Sequence, residues 1–397
     1  MSDAVPESAQ PDAGLPKRRG KARRRHTVGK VLLASALVLA MASGLGTVWL
    51  YRHLNGNISV LDVSQQLTDE PTKQAVEGPH EPLNVLVMGS DSRDCEGCNI
   101  DNLTGGGQRS DTTILFHLSA DRERAYGISI PRDSIVDRPD CIDEQGDTIP
   151  GADHVMWNEA YSVGGPACTI QQFQHLTNIK IDHFVVVDFE GFQGMVDAIG
   201  GVEVCIPEPI VDPAHGINIA AGTRKIKGKE ALNYVRERYV VGNGSDIGRM
   251  KRQQAFIGSM AHQVVSGGTL ARPDHLVRFL DSATKSLTVD PGLKNVWKIA
   301  QLGVEFKGIG LDNIQFLTIP NIPDPSDPNR LVWKEPDAKQ VWQKVAKDEP
   351  LTKKLSSDVI SAGNLPGSGS SSGSGSGSGG DKSEADKQAL ADAGLCT

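Results

Sequence analysis

The chain has 397 residues, 38% of them hydrophobic, with a formal net charge of −8. That length can bury one large core or two medium ones. An acidic balance excludes a general polyanion binder, and no nucleic-acid partner is expected.

The charge is unevenly spread. Lys17, Arg18, Arg19, Lys21, Arg23, Arg24, Arg25 and Lys30 precede an uncharged apolar run, Val31 to Tyr51. A helix of that run would be about 31 Å long, enough to cross a bilayer. Trp49 and Tyr51 suit the far interface. Residues 1–30 are therefore expected in the cytoplasm, 31–51 in the membrane, and the remainder outside as a single-pass type II protein. The small-residue triplet Ala40-Met41-Ala42 resembles a signal cleavage site. The apolar run continues well past it and exceeds a signal core of about 7–15 residues.

Residues 52–81 read as a polar extracellular stem. From 82 to 350, strand-like runs at 84–88, 112–118, 125–130, 183–188, 201–206 and 313–319 alternate with helical patterns. The helices are expected near 153–163, 168–177, 189–199, 228–235, 246–266, 272–285, 291–303 and 336–347. Interleaving of this kind predicts an α/β fold. The hairpin formed by 112–118 and 125–130 makes its sheet mixed. Residues 351–397, with the Gly/Ser run at 367–380, read as a flexible tail.

Six cysteines lie outside the membrane, where disulfides are the default. Cys141 and Cys168 flank a loop and helix and are expected to pair. Cys95 and Cys98 form a C-x-x-C pair without the second half of a zinc site. Cys205 reads as a buried thiol, and Cys396 ends the tail.

The hairpin carries the chemistry. Arg109-Ser110-Asp111 opens its first strand and Pro131-Arg132-Asp133 closes its second. Antiparallel pairing places Asp111 and Arg132 at one sheet edge. The run ending in Ser90-Asp91-Ser92-Arg93 also stops in charge. Arg236-Glu237-Arg238 and a helix bearing Arg249, Arg252 and Gln253 add further polar groups. Each Arg–Asp pair alone reads as scaffold. Together the guanidiniums outnumber the nearby carboxylates and call for an anion with phosphate-like oxygens. Asp91 and Asp111 then read as ligands for a hard divalent cation, and the expected chemistry is phosphoryl transfer. There is no P-loop, nucleophile elbow or H-E-x-x-H motif.

These motifs, with Asn158-Glu-Ala-Tyr161, Asp188-Phe189 and Gly200-Gly201-Val202, stand in the order of the LytR-CpsA-Psr family, which the chain resembles over about 82–265 and more loosely to 350. The resemblance implies a three-layer α/β/α sandwich around a mixed sheet, behind one N-terminal transmembrane helix. It implies an Mg²⁺-assisted transferase that moves a glycopolymer (teichoic acid, capsule or arabinogalactan type) from a polyprenyl pyrophosphate-linked donor in the membrane to peptidoglycan. Residue by residue, Asp91 and Asp111 are the implied metal ligands. Arg109, Arg132, Arg236 and Arg238 are the implied catalytic residues. Arg93, Arg249, Arg252 and Gln253 are the implied pyrophosphate shell. The lipid would lie in an apolar tunnel. Two alternatives use the same residues: a pyrophosphatase of lipid-linked substrates, and a membrane-anchored polyprenyl-phosphate-binding regulator.

Overall fold

The computed structural model describes residues 22–90, 110–242, 244–266, 272–367 and 384–397. The chain divides into two units, Met1–His53 and Leu54–Thr397. The first is the body of helix α1 (Ala22–Asn57). Within it Thr27–Asn57 is long and apolar enough to cross a membrane.

The second unit is built on an eight-stranded mixed sheet. From one edge to the other its strands are Ser59–Val60, Leu287–Val289, His183–Asp188, Leu83–Ser90, Ser110–Leu118, Ala125–Ile130, Ile314–Thr318 and Ile360–Ser361. Leu83–Ser90 runs parallel to His183–Asp188 and antiparallel to Ser110–Leu118. The expected hairpin is present, with Thr113 opposite Ile130 and Leu118 opposite Ala125. Its turn closes by Ser119 N–H donating to Arg124 O at 3.0 Å.

Side chains alternate across these strands, so the sheet has two apolar faces to cover. Helices α2 (Glu159–Thr177) and α8 (Asp337–Ala346) cover the face of Leu86, Met88, Leu115, Ile128 and Val186. Trp157, Phe173 and Trp342 fill that layer edge to face. The opposite face lies under α3 (Phe189–Ala198), α4 (Gly228–Arg236), α5 (Asp246–Ser266), α6 (Pro273–Ser286) and α7 (Val296–Ile309). The result is the expected three-layer α/β/α sandwich.

Several local expectations change. Ala152–Met156 is a strand paired with Ile135–Arg138, not the start of a helix. The two helices expected near 153–163 and 168–177 are one element, broken at Gly164 and Gly165. Gly165 takes φ +60°, which glycine adopts without strain, and Pro166 restarts the helix. Val202–Ile206 pairs with Gly222–Ile226 outside the central sheet. Helix α7 starts at Val296, where Asn295 caps it by accepting from Lys298 N–H at 3.0 Å.

The stem and the tail are both drawn into the fold. Ser59–Val60 is an edge strand, and Val63 is buried in the core. Ile360–Ser361 is the opposite edge strand. Residues 384–397 are not a flexible end: helix α9 (Glu384–Asp392) leads to Ala393 and Leu395, buried with Leu390 beside Ile314 and Phe316. Cys396 is bonded to Cys205, which is therefore not a free thiol. Cys141 and Cys168 pair as expected. Cys95 and Cys98 lie outside the described residues.

Candidate functional site at the strand ends

Strand register brings chain ends to one edge of the sheet. Ser90 lies opposite both Ser110 and Asp188, and Thr318 opposite Ser129. Asp111 therefore leaves the sheet close to where Arg132 follows Ile130. Arg132 Nη1 donates to Asp111 Oδ1 at 2.7 Å. The pairing read from the hairpin is thus formed.

The cluster extends beyond that pair. Arg132 Nε is 3.5 Å from Asp133 Oδ2 and 3.6 Å from Asp246 Oδ1. Arg249, one turn along α5 from Asp246, places Nη2 2.6 Å from the same Oδ1. Arg330 Nη1 donates to Asp133 Oδ1 at 3.1 Å. Asp111, Asp133 and Asp246 thus face Arg132, Arg249 and Arg330.

The pairing is close but incomplete. Both Asp246 oxygens, Arg249 Nε and Nη2, and Arg132 Nε are buried without an aligned hydrogen bond. Burial raises the Asp246 carboxyl above its ordinary value, against the attraction of Arg249 and Arg132. Burial also lowers Arg249, partly offset by Asp246. For Arg132 burial acts downward, but Asp111, Asp246 and Asp133 outweigh it and the net shift is upward. Buried charges with unfilled hydrogen-bonding capacity are costly, and a ligand with strong acceptors or a cation would fill it.

The other expected residues take different places. Asp91, Arg93 and Arg109 lie outside the described residues. Arg236 ends α4 with its guanidinium 4.6 Å over the Phe189 ring. Arg238 stacks 4.9 Å over Tyr239, and its Nη2 donates to the Tyr239 hydroxyl at 2.8 Å. Glu237 holds this loop by accepting from the N–H groups of Arg238 and Tyr239. Gln253 donates to Val235 O at 3.1 Å and accepts from Thr112 Oγ1 at 3.3 Å, tying α5 to both α4 and the Asp111 strand.

Arg252 departs from the expected pyrophosphate shell. It is buried and donates to the backbone oxygens of Ala393 and Glu237. Burial lowers its pKa to about 10, although the Tyr234 phenol acts the other way. Its contacts are those of a scaffold residue joining α5, the 237 loop and the C-terminal segment.

Among the described residues no group of three or more His, Cys, Asp or Glu could hold a metal. Mg²⁺ usually takes one or two protein carboxylates with substrate oxygens. Asp111 fits that mode as one ligand, with one oxygen already accepting from Arg132.

The two faces of the sheet differ beside the strand ends. On the α2 face, a cavity of about 570 Å³ opens beside Ser90 and Asp188. On the opposite face several sheet side chains keep some exposure. Val87, Phe116, Val185, Val187 and Leu287 are only half-buried, while their neighbours Leu86, Met88, Phe184 and Val186 are buried. Phe192, Met260, Val264 and Phe279, from the helices of that layer, are likewise only partly buried.

Sequence reasoning gave Asp133 and Asp246 no ligand role and missed Arg330. Pro131-Arg132-Asp133 signalled the first, and the second opens the helix that bears Arg249. No local pattern marks Arg330.

Residues 50–347 match the model of the LytR_cpsA_psr family. The cell wall biosynthesis protein LcpA of Corynebacterium glutamicum is 31% identical over 261 residues, covering 60% of this chain and 49% of LcpA. The chain thus spans about half the length of that relative. The polyisoprenyl-teichoic acid–peptidoglycan teichoic acid transferase TagV of Bacillus subtilis is 28% identical over 322 residues, covering 79% of this chain and 76% of TagV. The solved LytR-Csp2A-Psr enzyme from Actinomyces oris superimposes with a TM-score of 0.52 at 20% identity, over 73% of this chain and 96% of that one. At that identity the likeness is one of fold. With the family model matching well over half of its length, the chain belongs to the LytR-CpsA-Psr family.

Proposed function

We propose that this chain is a membrane-anchored transferase that moves a glycopolymer from a polyprenyl pyrophosphate-linked donor to peptidoglycan. The observation that carries this reading is the Asp111–Arg132–Asp246–Arg249 cluster at the strand ends of a sheet that also bears the half-buried Val87, Val185 and Val187. A charged cluster on a sheet with half-exposed apolar side chains suits an amphiphile with a phosphate head and a hydrocarbon tail. The names of TagV and LcpA agree with wall-polymer chemistry.

Arg132 and Arg249 supply planar forks for phosphate oxygens, and Asp246 orients both. Arg236 and Arg238 lie on the segment that Arg252 and Gln253 tie to α5. Mg²⁺, held by Asp111 with Asp91, would neutralise charge on the phosphates. Gln253 keeps the Asp111 strand and α4 in place. Arginine stays protonated at working pH, so none of these guanidiniums takes the acceptor's proton. The α1 helix would hold the domain outside the cell, near a lipid-borne donor.

The test is a reconstituted assay with a lipid-linked glycan donor and peptidoglycan acceptor. Arg132→Ala and Asp111→Ala should each lower transfer about 10²–10³-fold, the scale of losing one preorganised electrostatic contact. Wild-type release of free glycan without wall attachment would favour the pyrophosphatase. Unchanged wall polymer in cells whose only copy is Asp111→Ala would favour the regulator.

A further inference from the structure

Exposed apolar side chains are ordinary when scattered and informative when they share a surface. Outside α1, the two most exposed large apolar side chains among the described residues are Val304 at 68% and Trp297 at 65%. Both belong to α7 and lie two turns apart along one face. Gln301 and Gly308 complete that ridge, and both are exposed. The opposite side of α7 is spent on the fold. Leu302 and Phe306 pack on the cluster of Leu118, Ile314 and Phe316, and Phe306 meets Phe116 edge to face. Val296 and Ile309 are buried.

Charge frames the ridge. At about 100° per residue, Lys298 and Lys307 stand on either side of the line from Trp297 to Val304, and both are exposed. The exposed Lys294 precedes the helix. The one acid within α7, Glu305, is engaged by Arg122, whose Nε and Nη2 both lie 3.0 Å from its Oε2. Tryptophan and valine between two lysines suit a helix lying in a membrane interface. The indole sits at head-group depth, and the ammonium groups reach anionic phosphates.

Chain continuity says what covers the ridge. Asn55 accepts from Val296 N–H at 2.8 Å, so the first turn of α7 is held four residues beyond Tyr51, the end of the apolar run. Four residues reach at most about 14 Å even when fully extended. Trp297, next to Val296, is thus kept near the bilayer surface at which α1 emerges, whatever the angle between that helix and the domain. Neither a soluble partner nor a second copy is held at this spot by the chain itself.

We infer that the α7 ridge is a second membrane contact, seating the domain on anionic phospholipid head groups beside the point where α1 enters the bilayer. This rests on the membrane-anchored reading above and goes beyond it in giving the domain a fixed face toward the lipid. A ridge this short does not hold a protein to a membrane by itself. Next to α1 it acts on orientation. It removes the domain's freedom to swivel about one tether and sets one height for the strand-end site above the bilayer.

The experiment uses the full-length protein in vesicles of phosphatidylcholine with about one quarter phosphatidylglycerol, plain or brominated near the head-group end of the acyl chains. Trp297→Phe isolates the Trp297 emission by difference, and Trp49→Phe does the same inside the apolar run. Bromine should quench the Trp297 component by about half or more. Joint Lys298→Glu and Lys307→Glu substitution should remove most of that quenching, as should vesicles of phosphatidylcholine alone. Both changes should leave the Trp49 component quenched. An unquenched Trp297 beside a quenched Trp49 overturns the inference. Trp297 quenching that ignores both the lysines and the lipid charge overturns the anionic head group as the occupant. Trp297 emission that bromine leaves alone but that shifts with protein density gives the ridge to a second copy. If neither tryptophan is quenched, the membrane-anchored reading itself fails.

Discussion

Asp246 is the residue whose environment is most at odds with its charge. Both its oxygens are buried without an aligned hydrogen bond, and burial raises its carboxyl above the ordinary 3.8. A carboxyl raised on folding favours the folded state in acid. That contribution is lost as pH rises from the unfolded value through the folded one. Replacing it with Asn removes this dependence. The unfolding free energy of wild type relative to Asp246→Asn should therefore fall as pH rises from about 3.8 and level off above the folded pKa. Chemical denaturation across pH checks this, and a parallel pair of curves would refute it. Activity runs the other way, because only the ionised carboxylate pairs with Arg249 and Arg132. Wild type should lose activity on the acid side, and the weakly active Asn variant should lack that limb. Asp111 and Arg132 were legible because hairpin topology alone sets which strand ends meet. Arg330 was not legible: it reaches Asp133 across 197 residues, from a Pro- and Asp-rich loop without periodicity.

Helix α5 shows why an arginine stripe cannot be read as a ligand shell from spacing alone. Arg249 and Arg252 differ by three positions, yet Arg249 joins the cluster while Arg252 turns to Ala393 and Glu237. Its partner segment begins beyond a Gly/Ser run, where sequence composition gave no sign of a docked helix. Leu390, Ala393 and Leu395 are too few to register as a periodic element, though they complete a core cluster. The Cys205–Cys396 bond closes a loop of 191 residues. By loop entropy, cross-links of this length stabilise by about 5 kcal/mol. Cys396→Ser should thus lower the thermal midpoint by several degrees. Arg252→Met should destabilise too, by about 1.5–3 kcal/mol for each charge-assisted bond lost. Because both act on one segment, the double variant should lose less than the sum of the singles. Additive losses in a denaturation cycle would show that the two ties are independent.

At the scale of the whole molecule, the sequence's strongest signal is the apolar run after a basic cluster, and its hardest one is the row of half-buried side chains on one sheet face. The first follows from composition. The second depends on strand order, which sets Val87 opposite Val185 and Val187 opposite Leu287, all four half-buried. If the donor is lipid-borne, α1 contributes by confining the enzyme to the donor's plane and raising effective concentration, not by touching the reacting atoms. The second unit begins at Leu54, which is buried, and Asn55 accepts from Val296 N–H at 2.8 Å. A form starting at residue 54 should therefore keep its thermal midpoint within a degree or two. Toward a short-chain donor in solution its kcat/KM should stay within about threefold of full length. Toward a long-chain donor in vesicles it should fall at least tenfold, because binding then requires encounter from three dimensions. Equal losses on both donors would mean that α1 shapes the site itself. No loss on vesicles would mean that the donor reaches the apolar layer through water.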